Sequence, residues 1–208
     1  VIVEPHYSRI NHFNKEGKLI SQWGVHGNNK GQLSFPRAIA IANDGSADVS
    51  EFQIIERVQK FQLNRKTVSF EIKGAGGAPS QFNRAEGISL SPEGNLFVAD
   101  SCNHRIQIFE ADGTFLRSIG KAGTARGEFS YPYDIRVDEL GYQYVCEFGN
   151  SRLTILDSNS QVIEIIGRPG NLPGEFNNPW SLALDSKGNL YVADSQNHRV
   201  QKFIRKKS

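Results

Sequence analysis

An acid and an arginine recur together along this chain, and the pair is the first candidate for chemistry. The acid stands five residues before the arginine in Glu4/Arg9, Asp100/Arg105, Glu147/Arg152 and Asp194/Arg199, and six before it in Glu51/Arg57. A guanidinium can fork onto a carboxylate, and a positioned carboxylate can move protons. Repetition decides between these uses. A catalytic carboxylate is normally singular, whereas a group that returns in every copy of a repeat holds the copy together. We read all five pairs as structural, with each acid bonding backbone N–H groups of the turn that follows it and each arginine locking the hairpin. His104 and His198 stand at equivalent places two copies apart. A metal needs converging ligands, so both read as surface residues. Cys102 falls in a turn and could present an exposed thiol. Cys146 replaces the alanines at 99 and 193 and reads as a small buried hydrophobe. Neither cysteine has a matched histidine and acid to make it a nucleophile, and a disulfide between them is not expected. No catalytic residue, metal ligand or cofactor site is assigned.

The elements that position these residues follow from the period. Phe13, Phe61, Phe109, Leu156 and Phe203 are spaced by 48, 48, 47 and 47 residues. LFVADSCNHRIQIF at 96–109 returns as LYVADSQNHRVQKF at 190–203. A second signature reads GQLSFP at 31–36, GEFSYP at 127–132 and GEFNNP at 174–179, with a weaker PSQFNR at 79–84. Behind each comes an apolar run (RAIAIA, EGISLS, YDIRVD, WSLALD) and then a turn at 43–45, 92–94, 139–141 and 186–188. Each full unit holds four short β-prone runs broken by turn residues, and no segment keeps a helical period. Four short strands per unit at fixed spacing is the signature of a propeller blade. The spacing predicts an all-β, single-domain propeller over 1–208, with blades at roughly 1–25, 31–72, 79–120, 127–167 and 174–208. The first and last blades supply three strands each, so the chain holds about four and a half blades. A ring of six such blades needs about 280 residues. The expectation is therefore a piece of a larger propeller, incomplete at its N-terminus, whose last blade takes its outer strand from elsewhere or is closed by a second chain. The basic tail IRKKS ends the chain.

The run acid-x-x-Asn-His-Arg-(Val/Ile)-Gln-x-Phe after an apolar strand resembles the NHL repeat. The resemblance spans the chain, is strong in the units ending at Phe109 and Phe203, weaker at Phe13 and weakest at Phe61. The pattern is most similar to bacterial NHL-repeat proteins and is shared with animal TRIM-type ones. It implies an NHL-type propeller, six-bladed when complete. Some animal NHL domains bind single-stranded RNA, and two related propeller classes are enzymes: a zinc-dependent amidating lyase type and a gluconolactonase type with a divalent cation in the channel. Such a metal site would need unmatched acids or histidines on the innermost strands. In those strands Asp134 and Arg136 break the small or apolar pattern, and one acid is no metal cage.

Bulk properties exclude little else. The 208 residues carry a net charge of +2 with 38% hydrophobic and 22% charged residues. That charge is too mild to argue for a dedicated nucleic-acid binder. No apolar run approaches the length that crosses a bilayer as a helix. The chain contains no methionine, so its first residue is not the translated start, a removed signal stays open, and so do compartment and oligomeric state.

What varies among the repeats is more informative than what recurs. Strand alternation puts the between-blade loops and the Asn-His-Arg hairpins on one face. The loops there carry His26, Lys30, Arg37, Lys73, Arg84, Lys121, Arg126 and Arg168 against mainly Glu86, Glu128 and Glu175. The residue at the mouth of the central channel is Arg37, Glu86, Tyr133 and Trp180 in turn, with Asp134 and Tyr131 beside Tyr133. Arginine gives directional hydrogen bonds and tyrosine or tryptophan gives flat contact area. The candidate contact set is Arg37, Glu86, Arg126, Tyr131, Tyr133, Asp134, Arg168 and Trp180, and the function read from it is non-enzymatic recognition of a protein or peptide. RNA binding on the same face and a metal-dependent lyase or lactonase are the alternatives.

Overall fold

The computed structural model describes residues 1–63 and 67–205, so Lys206, Lys207 and Ser208 of the basic tail lie outside the described residues. Among the described residues eighteen strands form five antiparallel sheets. The first sheet holds β1 (Ile2–Glu4), β2 (Arg9–Phe13) and β3 (Leu19–Trp23). The second runs β4 (Pro36–Ile41), β5 (Ser46–Glu51), β6 (Arg57–Gln62) and β7 (Thr67–Lys73). The third runs β8 (Ala85–Leu90), β9 (Leu96–Asp100), β10 (Arg105–Phe109) and β11 (Phe115–Ile119). The fourth runs β12 (Pro132–Val137), β13 (Gln143–Glu147), β14 (Arg152–Leu156) and β15 (Val162–Ile166). The fifth holds β16 (Ser181–Leu184), β17 (Leu190–Asp194) and β18 (Arg199–Phe203). Each sheet is a meander in chain order. This is a propeller of five blades, three of them four-stranded. The first strands β4, β8, β12 and β16 stand side by side around the axis.

Apolar alternation explains why the sheets stack. Each core cluster joins two neighbouring blades: Val58 and Ile72 of the second pack on Phe82, Ile88 and Phe109 of the third, and Tyr144, Leu153 and Ile155 of the fourth pack on Phe176, Leu182 and Val192 of the fifth. The loop between blades plugs each junction with one buried apolar side chain, Leu33, Phe82, Phe129 or Phe176. Two glycines make room for it. A Cβ on Gly120 would lie 2.2 Å from the Phe129 ring, and one on Gly167 would lie 2.3 Å from that of Phe176, and both residues have φ near +90°, where glycine is favoured.

The acid–arginine pairs sit at this junction. Asp100 accepts from Arg105 Nε at 2.7 Å and from Gln107 Nε2 at 3.1 Å. The two other guanidinium nitrogens of Arg105 donate to the carbonyls of Gly77, Ala78 and Gln81 in the loop before the blade. Glu147/Arg152 and Asp194/Arg199 repeat the pattern, each with an Nε–O distance of 2.8 Å. Glu51 and Arg57 form a two-pronged pair at 2.7 and 2.9 Å, and Glu4 pairs with Arg9. The geometry departs from the sequence expectation in one respect. The backbone N–H bonded by the acid belongs to the preceding loop (Asn83, Ser130 and Asn177), not to the following turn. The following 3-10 turn ends in a left-handed residue, His104 or His198, whose amide bonds back within the turn, while the amides of Ser101, Cys102 and Gln196 donate to the carbonyls of Arg84, Asn83 and Asn177 in the preceding loops.

Candidate functional site

The inner strands bring the odd residues of four blades together at one mouth of the channel. Arg37 is the second residue of β4, Glu86 stands in β8, Tyr133 in β12, and Trp180 immediately precedes β16. Glu86 is fully buried and paired with both Arg37 and Arg84. Each guanidinium then lies over an aromatic ring. Arg37 sits 5.2 Å from the Trp180 ring centre, and Arg84 sits 5.0 Å from that of Tyr133 and 5.2 Å from that of Phe52. Tyr133 stacks on Phe148 at 4.3 Å and meets Trp180 edge-on at 5.3 Å. The result is a continuous guanidinium–aromatic surface pinned from beneath by one carboxylate. Burial disfavours the charge of Arg84, yet its bond to Glu86 holds its pKa above the usual value. Burial pushes the Tyr133 hydroxyl up, so it stays a neutral donor.

Asp134 has a different role from its neighbours. It is 3% exposed. One carboxylate oxygen accepts from Ser181 Oγ at 2.6 Å and Leu182 N at 3.1 Å; the other takes Ile135 N and Arg136, each at 2.9 Å. It therefore ties β12 to β16. Burial raises its pKa. Gly87 exists at this point to admit it: a Cβ there would lie 2.3 Å from Asp134 Oδ1 and 2.7 Å from its Cα.

A cavity of about 410 Å³ opens here, lined by Arg37, Glu86, Tyr133, Asp134, Arg136 and Trp180 among others. The remaining candidates stand elsewhere. Tyr131 is exposed on the loop before β12; its backbone N–H donates to His104 Nδ1 at 3.2 Å, and the two rings are 4.5 Å apart. Arg126 is exposed and reaches the carbonyl of Val162 on the outer strand β15. Arg168 is exposed and pairs with Glu175 at 2.9 Å. His104 is half-buried, unlike the exposed His198. Cys102 is likewise half-buried, Cys146 is fully buried, and both are free thiols. Among the described residues no three or more His, Cys, Asp or Glu side chains converge as a metal group.

Phe52, Arg84, Phe148 and Arg136 belong to the assembled site but not to the contact set drawn from sequence. A signal was present. The residue after the hairpin acid is Phe52 and Phe148 in two blades but Ser101 and Ser195 in two others, and the rule that ligands meet the odd residues would have selected both phenylalanines.

The fold and this mouth define a β-propeller with one differentiated face. Residues 82–109 and 176–203 match the NHL repeat family model. The chain is a β-propeller that carries two matches to the NHL repeat. It is 29% identical over 82 residues to the B-box type zinc finger protein ncl-1 of Caenorhabditis elegans, which is 38% of this chain and 10% of that protein. It is 33% identical over 64 residues to the protein brain tumor of Drosophila melanogaster, 30% of this chain and 6% of that protein. The chain thus spans a small fraction of these relatives. Among solved structures, a streptogramin B lyase superposes with a TM-score of 0.67 at 14% identity, covering 99% of this chain and 64% of that one. A gluconolactonase from Xanthomonas campestris gives 0.64 at 14%, covering 88% and 61%. Identities this low show the shared propeller fold alone.

Proposed function

We infer that this chain is a non-enzymatic recognition module that takes a protein or peptide at the channel mouth. The observation that supports this most is the guanidinium–aromatic cluster of Arg37, Arg84, Tyr133, Phe148 and Trp180, assembled where the repeats differ. Tryptophan, tyrosine and arginine are the residue types that dominate binding energy at protein interfaces. The alternatives have less support. The three arginines at the mouth are offset by Glu86 and Asp134 to a net of one positive charge, whereas single-stranded RNA needs a groove lined with many unspent cations. The inner-strand acids that a lyase or lactonase metal would need are the same two, each held by arginine. The contact residues we assign are Arg37, Tyr133 and Trp180, with Glu86 and Asp134 positioning them. Tyr131, Arg126 and Arg168 form an outer rim. For the complete protein we propose one propeller domain of six blades; among the described residues the first and last sheets hold three strands each and the other three hold four.

The test is to select peptides from a displayed random library on the immobilised chain and measure their affinity for Trp180→Ala. The selected peptides should bind this variant at least about tenfold more weakly. Peptides that bind wild type and variant equally would place recognition elsewhere.

A further inference from the structure

We propose that the channel mouth accepts a single peptide carboxylate, gripped by the free edge of Arg136 while Trp180 packs the group that bears it. This rests on the recognition reading above and names the chemistry of its ligand. Position 136 is Ala40, Ser89 and Ala183 in the other blades, so nothing in the blade itself calls for an arginine. Its Nη1 is fixed from one side, donating to the Ile88 carbonyl at 3.0 Å and lying 2.9 Å from Asp134 Oδ1. Its Nε and Nη2 have no protein partner among the described residues. The side chain is 33% exposed and lines the cavity. Nε and Nη2 together form the edge of a guanidinium that matches both oxygens of a carboxylate. Because Nη1 is already held, little side-chain freedom remains to be lost on binding.

Charge balance points the same way. The cluster holds three guanidinium groups, Arg37, Arg84 and Arg136, against two carboxylates, Glu86 and Asp134. Three minus two leaves one positive charge, which complements one negative charge and not a polyanion. The cavity volume is that of a small ligand pocket, not of an ion site. Trp180, 37% exposed at the rim, offers its free surface to the residue carrying the carboxylate. A C-terminus and an Asp or Glu side chain present the same fork, so the assay separates them.

Three probes suffice: the tripeptide acetyl-Gly-Phe-Gly with a free terminal carboxylate, the same peptide as its amide, and amidated acetyl-Gly-Phe-Glu. Affinity is read by titration calorimetry or tryptophan fluorescence. The amide of acetyl-Gly-Phe-Gly should bind about tenfold or more weakly than at least one carboxylate peptide, and the better of the two carboxylate peptides identifies the source. Arg136→Lys retains the charge beside Asp134 but loses the fork, so it should erase the preference while its far-ultraviolet circular dichroism matches wild type. Trp180→Ala should weaken all three. Equal binding of acid and amide by wild type overturns the carboxylate and leaves the channel-mouth reading intact. An undiminished preference in Arg136→Lys overturns it too, as does preferential capture of a short oligouridylate. If no probe binds, the inference falls, and the library-selected peptides then judge the broader reading by themselves.

Discussion

The second blade contains an ion pair where the third and fourth blades contain aromatic and aliphatic side chains, and replacing the pair with apolar residues should stabilise the protein. Asp48 and Lys60 face each other across β5 and β6. The same cross-strand position holds Phe97 and Ile108 in the third blade and Tyr144 and Ile155 in the fourth. Asp48 is fully buried, Lys60 is 7% exposed, and their atoms are 3.3 Å apart. The second oxygen of Asp48 has no hydrogen-bond partner among the described residues. Burial outweighs the attraction of Lys60 and raises the Asp48 pKa from 3.8 to about 6. The folded state therefore holds this proton more tightly than the unfolded chain does. Its effect on stability is absent below the unfolded pKa and becomes increasingly unfavourable as pH rises from about 4 through about 6. The difference from 3.8 to about 6 corresponds to about 3 kcal/mol lost at pH 7, of which about 2 kcal/mol appears between pH 4.5 and 7. The double variant D48L/K60M carries no charge; Met matches Lys in size, while Leu is larger than Asp and must be taken up by the surrounding core. The variant forfeits the contact of Lys60 with the Phe70 ring at 5.7 Å, worth about 1 kcal/mol. The net gain at pH 7 should be about 1–3 kcal/mol, or roughly 2–12 °C in Tm for a chain of this size. Denaturant melts of both proteins at pH 4.5 and 7 give the difference directly, and subtraction removes every other titrating group. A difference that does not grow with pH, or a variant less stable than wild type at pH 7, would refute the reasoning.

Other substitutions probe the remaining arguments. Tyr133→Ala removes a buried ring stacked on Phe148 and should cost about 3–5 kcal/mol, whereas Trp180→Ala at the rim should cost about 1 kcal/mol or less; equal losses in chemical denaturation would contradict the burial seen here. Trp180 is thus the cleaner probe of binding. Gly87→Ala drives a methyl into Asp134, and a melting temperature within a degree or so of wild type would show that the close approach is not required. Asp100→Ala leaves Arg105 without its acid and the Asn83 amide without its acceptor, and should cost about 3–5 kcal/mol; an unchanged urea midpoint would refute the junction role. Hydrogen bonds from Asn189 lower the Asp185 pKa to about 2, so this group stabilises above pH 4 and its contribution is lost as pH falls toward 2. In Asp185→Asn that acid-side loss should shrink, which melts between pH 2 and 5 would detect.

Much of the fold was legible because each blade is a local object. Four strands joined by tight turns need only contacts within about 47 residues, so the period of the closing aromatic predicted all five sheets and the three-stranded first and last ones. The site was legible only in part. Reading the residues where repeats disagree selected Arg37, Glu86, Tyr133, Asp134 and Trp180, and all five line one cavity. The same logic added Arg126 and Arg168, which lie away from it because their loops run outward over β15 and beside Glu175. Loop position gives a face of the disc but not a radius.

By itself the sequence determined the repeat, the strands and which positions depart from the pattern, because those are matters of spacing and alternation along the chain. Only the tertiary structure decided what the departures do. Glu86 was a possible contact residue until three blades buried it beneath two arginines, and Asp134 until Ser181 and Leu182 of the next blade occupied its oxygens. Those partners lie 47 to 49 residues away, apart from Arg84 beside Glu86. Side chains so far apart in the chain meet only where the blades turn about a common axis, and their distances and rotamers are set by packing between blades, which no local pattern encodes.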